Sequence, residues 1–421
     1  MTTNSHGFNE DQQAAYDAFM QWRDEGGDEF RLYGFAGTGK SYVASKIEKE
    51  VPGSIFVTYT GKAAHVLRKR GVQKVSTIHA AIYNLKNSDE AILNLKREVR
   101  RLHAIMSKQY PGKSFEALRK LNPELEKKAA DLEARRQSHN GPSFAFNEEA
   151  DISLAPLIIV DECSMVGAKV AADLRLFGVP ILAMGDPGQL PPVKDQPGFK
   201  VAKPDAMLTK LMRTAEEAPI AHLAARVRKG ERLAKGTYGE SEVVAAHRIK
   251  DDELLAYNQI IVGTHKMRRR VNNRVRKAKG YKTPFPEVGD KLVCLRNFET
   301  SEKVYLANGA LWRVREVHGF VDDEILLTLE EVGVRGVDDL AVTTTLPVPV
   351  SCFDPDDEDG ARFEQIQFDY GYAITAHKAQ GSEWGSVLVY DESRMFRQDA
   401  DRWLYTAITR ASEYVTIAQV A

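Results

Sequence analysis

The apolar positions of the first eighty residues change period repeatedly. Asp11–Arg23 has the spacing of an amphipathic helix, and Phe30–Phe35 is a short strand-like run that ends in a glycine-rich turn. Tyr42–Glu50 returns to helical spacing, and Ser54–Tyr59 is β-rich and stops at Thr60-Gly61. Strand, helix, strand in this order predicts a parallel sheet, because parallel neighbours need a crossover between them.

The pattern then breaks. Leu85–Arg136 is rich in Lys, Arg, Glu, Leu and Ala, with Pro111-Gly112 in its middle, and predicts two or three charged helices inserted into the sheet domain. Turn-forming residues follow over Ser138–Ser143. Pro156–Val160 and Pro180–Met184 are continuous apolar runs of the kind buried on both faces, and Ile260–Val262 and Val387–Tyr390 repeat them. Between these last two, from about Pro284 to Gln367, the chain is β-patterned. Gly289-Asp290 and Asn308-Gly309 mark hairpin turns there, and Asp354–Asp359 an acidic loop. The chain therefore reads as two α/β cores, each carrying one insertion.

Composition narrows the class. The 421 residues are 43% hydrophobic and 28% charged, enough apolar material for a core in a chain of several domains. Lys and Arg number 58 against 59 Asp and Glu, which is unlike a dedicated duplex-binding module but leaves room for a basic channel. Three widely spaced cysteines, Cys163, Cys294 and Cys352, fit neither a disulfide framework nor a zinc site, and a reducing cytoplasm is the expected location. Met1–Asp11 is polar, with no signal-peptide core, and no apolar run approaches the ~20 residues that span a bilayer, so no membrane association is expected.

Chemistry enters at Gly34-Phe35-Ala36-Gly37-Thr38-Gly39-Lys40-Ser41, which satisfies every fixed position of a phosphate-binding loop and lies between a strand and a helix. Glycines let the backbone turn until its N–H groups face one point at a helix N-terminus, which is an anion site. Gly37, Thr38 and Gly39 shape that loop, Lys40 is placed to neutralise the β- and γ-phosphates of ATP, and Ser41 to hold Mg²⁺. The run Leu157–Val160 delivers Asp161 and Glu162 to the ligand-binding end of the sheet, Asp161 as a second Mg²⁺ holder and Glu162 to orient or deprotonate the attacking water. Ile181–Met184 leads into Gly185-Asp186-Pro187-Gly188-Gln189-Leu190-Pro191-Pro192, where Gln189 is a candidate γ-phosphate sensor.

These motifs, in this order, resemble a superfamily 1 helicase of the RecD/Dda group over nearly the whole chain. Phe8–Ala15, with Gln12, resembles the segment that reads adenine. Thr58–Ala64 resembles the strand-gripping motif, with Thr60 and Lys62 in contacting positions and Tyr59 where the family has proline. Ser76-Thr77-Ile78-His79 resembles a further DNA-contacting motif, and Asp161-Glu162-Cys163-Ser164-Met165 and Gly185–Leu190 the next two. Leu211-Met212-Arg213-Thr214 is similar to the segment whose arginine reaches the γ-phosphate. Thr375–Trp384 is similar to the T-x-H-K-x-Q-G-S-E-[FWY] motif and Tyr405–Ala411 to Y-T-A-x-T-R-A. By this resemblance Thr60, Lys62, His79, Thr375, His377 and Trp384 face DNA, Glu383 serves the nucleotide or motif coupling, and Arg213 and Arg410 supply charge from the second core. Charge developing on a transferred phosphoryl group needs such cations.

The resemblance implies two RecA-like α/β domains: 1–84 with 144–200 as the ATP-binding one, interrupted by a helical arm at 85–143, and 201–283 with 368–421 as the second, interrupted by an SH3-like β insertion at 284–367. It implies ATP- and Mg²⁺-dependent 5′→3′ translocation on single-stranded DNA and unwinding at single-strand/duplex junctions, with a single-stranded-DNA-binding protein or replication proteins as partners. A phage or bacterial source goes with it. The rival reading is a strand-binding P-loop ATPase that works as a loader or remodelling switch without unwinding. The basic run His265–Lys279 is open between phosphate contact and a solvated helix face.

Overall fold

A computed structural model describes residues 7–69, 71–85, 88–111, 113, 115–138, 144–192, 195–200, 203–211, 219–300, 304–321, 323–335, 341–353 and 366–420. Arg213, the acidic loop Asp354–Asp359 and most of Ser138–Ser143 lie outside the described residues. The chain divides into two compact units, Met1–Ile78 with Asp151–Ala421, and His79–Ala150.

Among the described residues the larger unit holds three sheets of five or six strands and the two-stranded pair Phe298–Glu299 with Tyr305–Leu306. The first is wholly parallel, in the order Val75–Thr77, Ile55–Thr58, Ile158–Asp161, Ile181–Gly185, Glu29–Gly34 and Ala206–Leu208. Its central strands are buried throughout, as at Ile159, Val160, Leu182 and Met184, which accounts for their unbroken apolar sequence. The helix Glu10–Asp24 packs Phe19 into this core beside Phe30 and opens with a capping box, in which Asn9 accepts the Gln12 N–H and the Gln12 side chain accepts the Asn9 N–H.

The second sheet runs Ala373–Thr375, Gln259–Val262, Trp384–Asp391, Ala411–Gln419, Ser241–Ala245 and Gly236–Tyr238, parallel except for the last strand. Alternate residues of one strand enter opposite cores. Ile261 joins Val389, Ile417 and Trp403, whereas Ile260 and Val262 join Leu388, Val271 and Val275. Four of these strands, Ser241–Ala245, Gly236–Tyr238, Ala373–Thr375 and Ala411–Gln419, were not expected from periodicity, being short or sequence-adjacent to motifs that obscure them.

The third sheet is antiparallel, in the order Ala341–Pro349, Glu324–Arg335, Leu311–Val321, Lys291–Cys294 and Phe368–Tyr370, and closes on Trp312, Leu327, Leu346 and Phe368. It hangs from the basic helix His265–Ala278. There Arg276 meets the fully buried Asp290 at 3.1 Å and donates to the Thr283 and Phe285 carbonyls. Arg268 pairs with Asp369 and Arg274 with Asp251. Three cations of this run are thus held by carboxylates of the protein itself, Arg276 in a buried pair and Arg268 and Arg274 in partly exposed ones.

In the smaller unit the helices Ser88–Gln109, Phe115–Leu121 and Pro123–Ser138 enclose Leu118 and Leu125. Arg119 ties two of them together through Glu126 and Glu133. Among the described residues no helix is long and apolar enough to cross a membrane.

Candidate nucleotide site and strand-facing residues

The phosphate-loop sequence folds as its glycines dictate. Gly37 and Gly39 take φ of 79° and 87°, a region that favours glycine, and Gly39 ends the turn as the N-cap of the helix Lys40–Glu50. Thr38 is buried, its hydroxyl donating to the Phe35 carbonyl at 2.8 Å. Gln12 reaches in from the N-terminal helix and donates to the Thr38 carbonyl at 3.0 Å, so it braces the loop. The Lys40 ammonium folds back onto the loop, donating to the carbonyls of Gly34 at 2.7 Å and Phe35 at 3.1 Å. Ser41 follows, half-buried.

Asp161 ends its strand level with Thr58, and the Glu162 N–H donates to the Asp161 carboxylate at 2.9 Å. Glu162 has a left-handed backbone, φ 54° and ψ 42°, one of only two described non-glycine residues with positive φ. That conformation is costly for a side chain and is found where a residue must be aimed. Burial pushes the Glu162 carboxyl above the usual carboxylate range, the neighbouring Asp161 adds to the rise, and the cations Arg410 and Lys40 oppose it. Lys40, Glu162 and Arg410 therefore share one electrostatic environment although they come from both ends of the chain.

Arg410 is buried at the end of the helix Ala400–Ile408. Its guanidinium donates to the Thr406 carbonyl at 3.1 Å, the Ser382 carbonyl at 3.2 Å and the Thr409 hydroxyl at 3.1 Å. Gln189 is also buried, and its amide oxygen has no hydrogen-bond partner. It lines a cavity of 380 Å³ together with Ser164, whose hydroxyl is likewise unpartnered, and with Asp186 and Arg402. Buried polar atoms without partners are rare because each costs ~1–3 kcal/mol, and they mark places that accept a ligand or water. A larger cavity of 1030 Å³, bordered by Met267, Arg270, Tyr390 and Leu404, contains none of the phosphate-loop residues. The loop residues present suit a phosphate group, and the Ser41 hydroxyl with the Asp161 carboxylate is an oxygen set of the kind Mg²⁺ takes.

Several residues at this site were not singled out from sequence. Tyr405 accepts the Ala36 N–H at 3.1 Å and donates to Asp186 at 2.7 Å. Thr406 accepts the Leu190 N–H at 3.0 Å, Gln380 donates to the Leu190 carbonyl at 3.3 Å, and the Arg228 guanidinium lies 3.4 Å from the Phe35 ring centre. Tyr405, Asp186 and Gln380 sit inside motifs read from sequence, but nothing in the spacing tells that residues 36 and 405 touch.

The expected strand-facing residues divide into groups. Thr60 caps the turn into its helix by accepting the Ala63 N–H at 3.2 Å, and Gly381 approaches so closely that a Cβ there would lie 3.4 Å from the Thr60 hydroxyl. The Lys62 ammonium stands 4.5 Å above the Trp384 ring, so these two are brought together from the two α/β cores. Thr375 caps the short helix Ala376–Ala379, and His377 is half-buried 5.9 Å from Phe396, its imidazole pushed down by burial. Glu383 is exposed on the turn that follows. His79 belongs to the smaller unit, where it packs 5.6 Å from Tyr83.

The chain matches the family described as an AAA domain over residues 7–248, more than half its length, and the UvrD-like helicase C-terminal domain over residues 370–418. It is 30% identical over 294 residues to the ATP-dependent RecD2 DNA helicase of Deinococcus radiodurans, the match covering 61% of this chain and 35% of that protein. It is 27% identical over 197 residues to the uncharacterized protein R530 of Acanthamoeba polyphaga mimivirus, covering 44% and 34%. The matches thus span about a third of the length of these curated relatives. Among solved structures, the Pif1 helicase of Candida albicans superimposes with a TM-score of 0.50 at 16% identity, covering 98% of this chain and 94% of that one. Bacteroides Pif1 bound to ssDNA gives 0.50 at 16%, covering 97% and 91%. These two likenesses show a shared fold, with two RecA-like α/β cores.

Proposed function

The chain belongs to the AAA-domain family and carries the motif order of the RecD/Pif1-type superfamily 1B helicases, and from that premise we propose that it is an ATP-dependent DNA helicase. It hydrolyses ATP, moves along single-stranded DNA and opens duplexes at junctions. The observation that carries this reading is that the charges of Lys40 and of Arg410, which comes from the second core, both act on the buried Glu162, while the helix that leads to Arg410 also holds the loop of the buried, unpartnered Gln189. A phosphate-loop switch that borrows its finger from a neighbour needs no arginine of its own at this place.

The loop amides and Lys40 hold the phosphates, and Gln12 keeps the loop in register. Ser41 and Asp161 would hold Mg²⁺, which would supply charge neutralisation on the phosphates. Glu162, raised in proton affinity by its enclosure, accepts the proton of the attacking water. Gln189 orients that water or the γ-phosphate, and Arg410 neutralises charge that develops on the phosphoryl group. Both arginine and sensor belong to a contact between the two cores, so the nucleotide state biases how those cores sit, and strand contacts at Thr60, Lys62, Thr375, His377 and Trp384 turn that bias into steps. The 5′→3′ polarity and the domain limits given above rest on family resemblance.

The test is ATPase rate with and without single-stranded DNA, beside unwinding of duplexes with a 5′ or a 3′ tail. Strand-stimulated turnover with unwinding from the 5′ tail alone supports the helicase. Strand-independent turnover without unwinding from either tail returns the protein to the switch class.

A further inference from the structure

We infer that Tyr405 is a positioning residue for hydrolysis: it ties the phosphate loop to the loop that carries Gln189, from the same helix that presents Arg410. The inference rests on the nucleotide-site reading above and adds to it a coupling element.

The geometry is specific. The Tyr405 side chain is buried, only 2% exposed, and its hydroxyl uses both of its capacities across the contact between the two cores. It accepts the N–H of Ala36 in the phosphate loop and donates to one carboxylate oxygen of Asp186. The other Asp186 oxygen accepts the Gly188 N–H at 2.9 Å. The tyrosine ring lies against Gly188 so closely that a Cβ there would be 2.9 Å from a ring carbon, so residue 188 has no room for a side chain. On the far side of Gln189 the Leu190 N–H is held by Thr406, the next residue of the helix. Gln189 is thus clamped at both flanks by consecutive residues, Tyr405 and Thr406, while its own amide oxygen stays unpartnered. Four residues on from Thr406, Arg410 is bound back to the Thr406 carbonyl. One hydroxyl therefore joins the phosphate loop to the sensor loop, and the helix that carries it also holds Arg410 through the Thr406 carbonyl, so a shift of the Ala36 amide on nucleotide binding is passed to the sensor loop and to the helix of the arginine.

Burial and the adjacent Asp186 carboxylate push the Tyr405 phenol far above its ordinary range, so it stays a donor at every working pH. Its role is to hold geometry, and it does not transfer protons.

The experiment uses the full chain with Tyr405→Phe, Asp186→Asn, the double variant and Lys40→Ala, each with a melting curve and steady-state ATP kinetics. Tyr405→Phe keeps the ring on Gly188 and removes only the hydroxyl. The expected result is a fall of about ten- to a hundredfold in kcat, the weight of one hydrogen bond to a charged group, with KM for ATP held within about threefold. If the hydroxyl acts through Asp186, the double variant is no worse than the poorer single one. Wild-type kcat in Tyr405→Phe overturns the inference. So do losses that multiply in the double variant, or a kcat loss that comes with a raised KM and a lowered melting point. Lys40→Ala separates the two levels: if it retains turnover, the nucleotide site itself is misassigned, whereas a dead Lys40→Ala beside a normal Tyr405→Phe removes only the latch.

Discussion

Replacing Lys62 by methionine keeps an unbranched side chain over the Trp384 ring and removes one charge. In the free protein, burial pulls the Lys62 ammonium down to about 8 from 10.5, with the charge of Glu331 opposing the fall. A strand phosphate beside Lys62 would favour the charged form and draw the value back up. The sign follows from linkage. Below about pH 8 free and strand-bound protein both hold the proton, and affinity is indifferent to pH at this residue. Above it the free protein has released the proton and the complex retains it, so binding requires proton uptake. Affinity should then fall by up to about tenfold per pH unit as pH rises from about 8 toward 10.5. Lys62→Met should abolish that fall. It should also flatten the dependence of log affinity on log salt by about 0.7, the release of one counterion from a single strand. Fluorescence anisotropy of a labelled oligothymidylate, titrated at several salt concentrations at neutral pH and again above pH 8, measures both quantities. Identical slopes and identical pH profiles for the two proteins would refute the reasoning. Lys62 would then be a pin between the two cores, and the strand would run elsewhere.

Other expectations are more direct. Lys40→Ala should lower ATP turnover by about a hundred- to a thousandfold, the usual weight of one preorganised charge-stabilising donor, while leaving strand binding largely intact in a gel-shift titration. Glu162→Gln should retain nucleotide binding, read with a fluorescent analogue, and lose hydrolysis. In the unaltered protein the acidic limb of kcat against pH should lie above the ordinary carboxylate range, because burial and Asp161 raise the group that must be ionised. Arg276→Met leaves the fully buried Asp290 without its ion-pair partner and should cost about 3–5 kcal/mol in chemical denaturation, with Arg276→Met/Asp290→Leu recovering much of that loss. Arg410→Lys should lower turnover although the charge is kept, because an ammonium cannot reproduce the planar set of bonds to Thr406, Ser382 and Thr409.

What the sequence determined by itself is local and periodic. Runs such as Ile158–Val160 and Ile260–Val262 announce doubly buried strands, since any polar residue there would be stranded in a core. Gly37 and Gly39 announce their turn, because few other residues take its left-handed backbone. The proposed nucleotide-site residues Lys40, Asp161, Glu162 and Gln189 stand out in the sequence for the same reason, each following a strand end or turn that its neighbours specify. Only the tertiary structure decided which distant groups meet. That Tyr405 closes on Ala36, that Lys62 lies over Trp384, and that Arg276 is consumed by Asp290 depend on how independently folded elements dock. Periodicity along one element carries the direction a side chain faces but not the identity of what it faces. The basic run His265–Lys279 shows the limit most plainly. Its cations look alike in sequence, and only packing against the β sheet and the neighbouring loops separates Arg268, Arg274 and Arg276, each paired with a carboxylate of the protein, from the exposed Lys266 and Arg270.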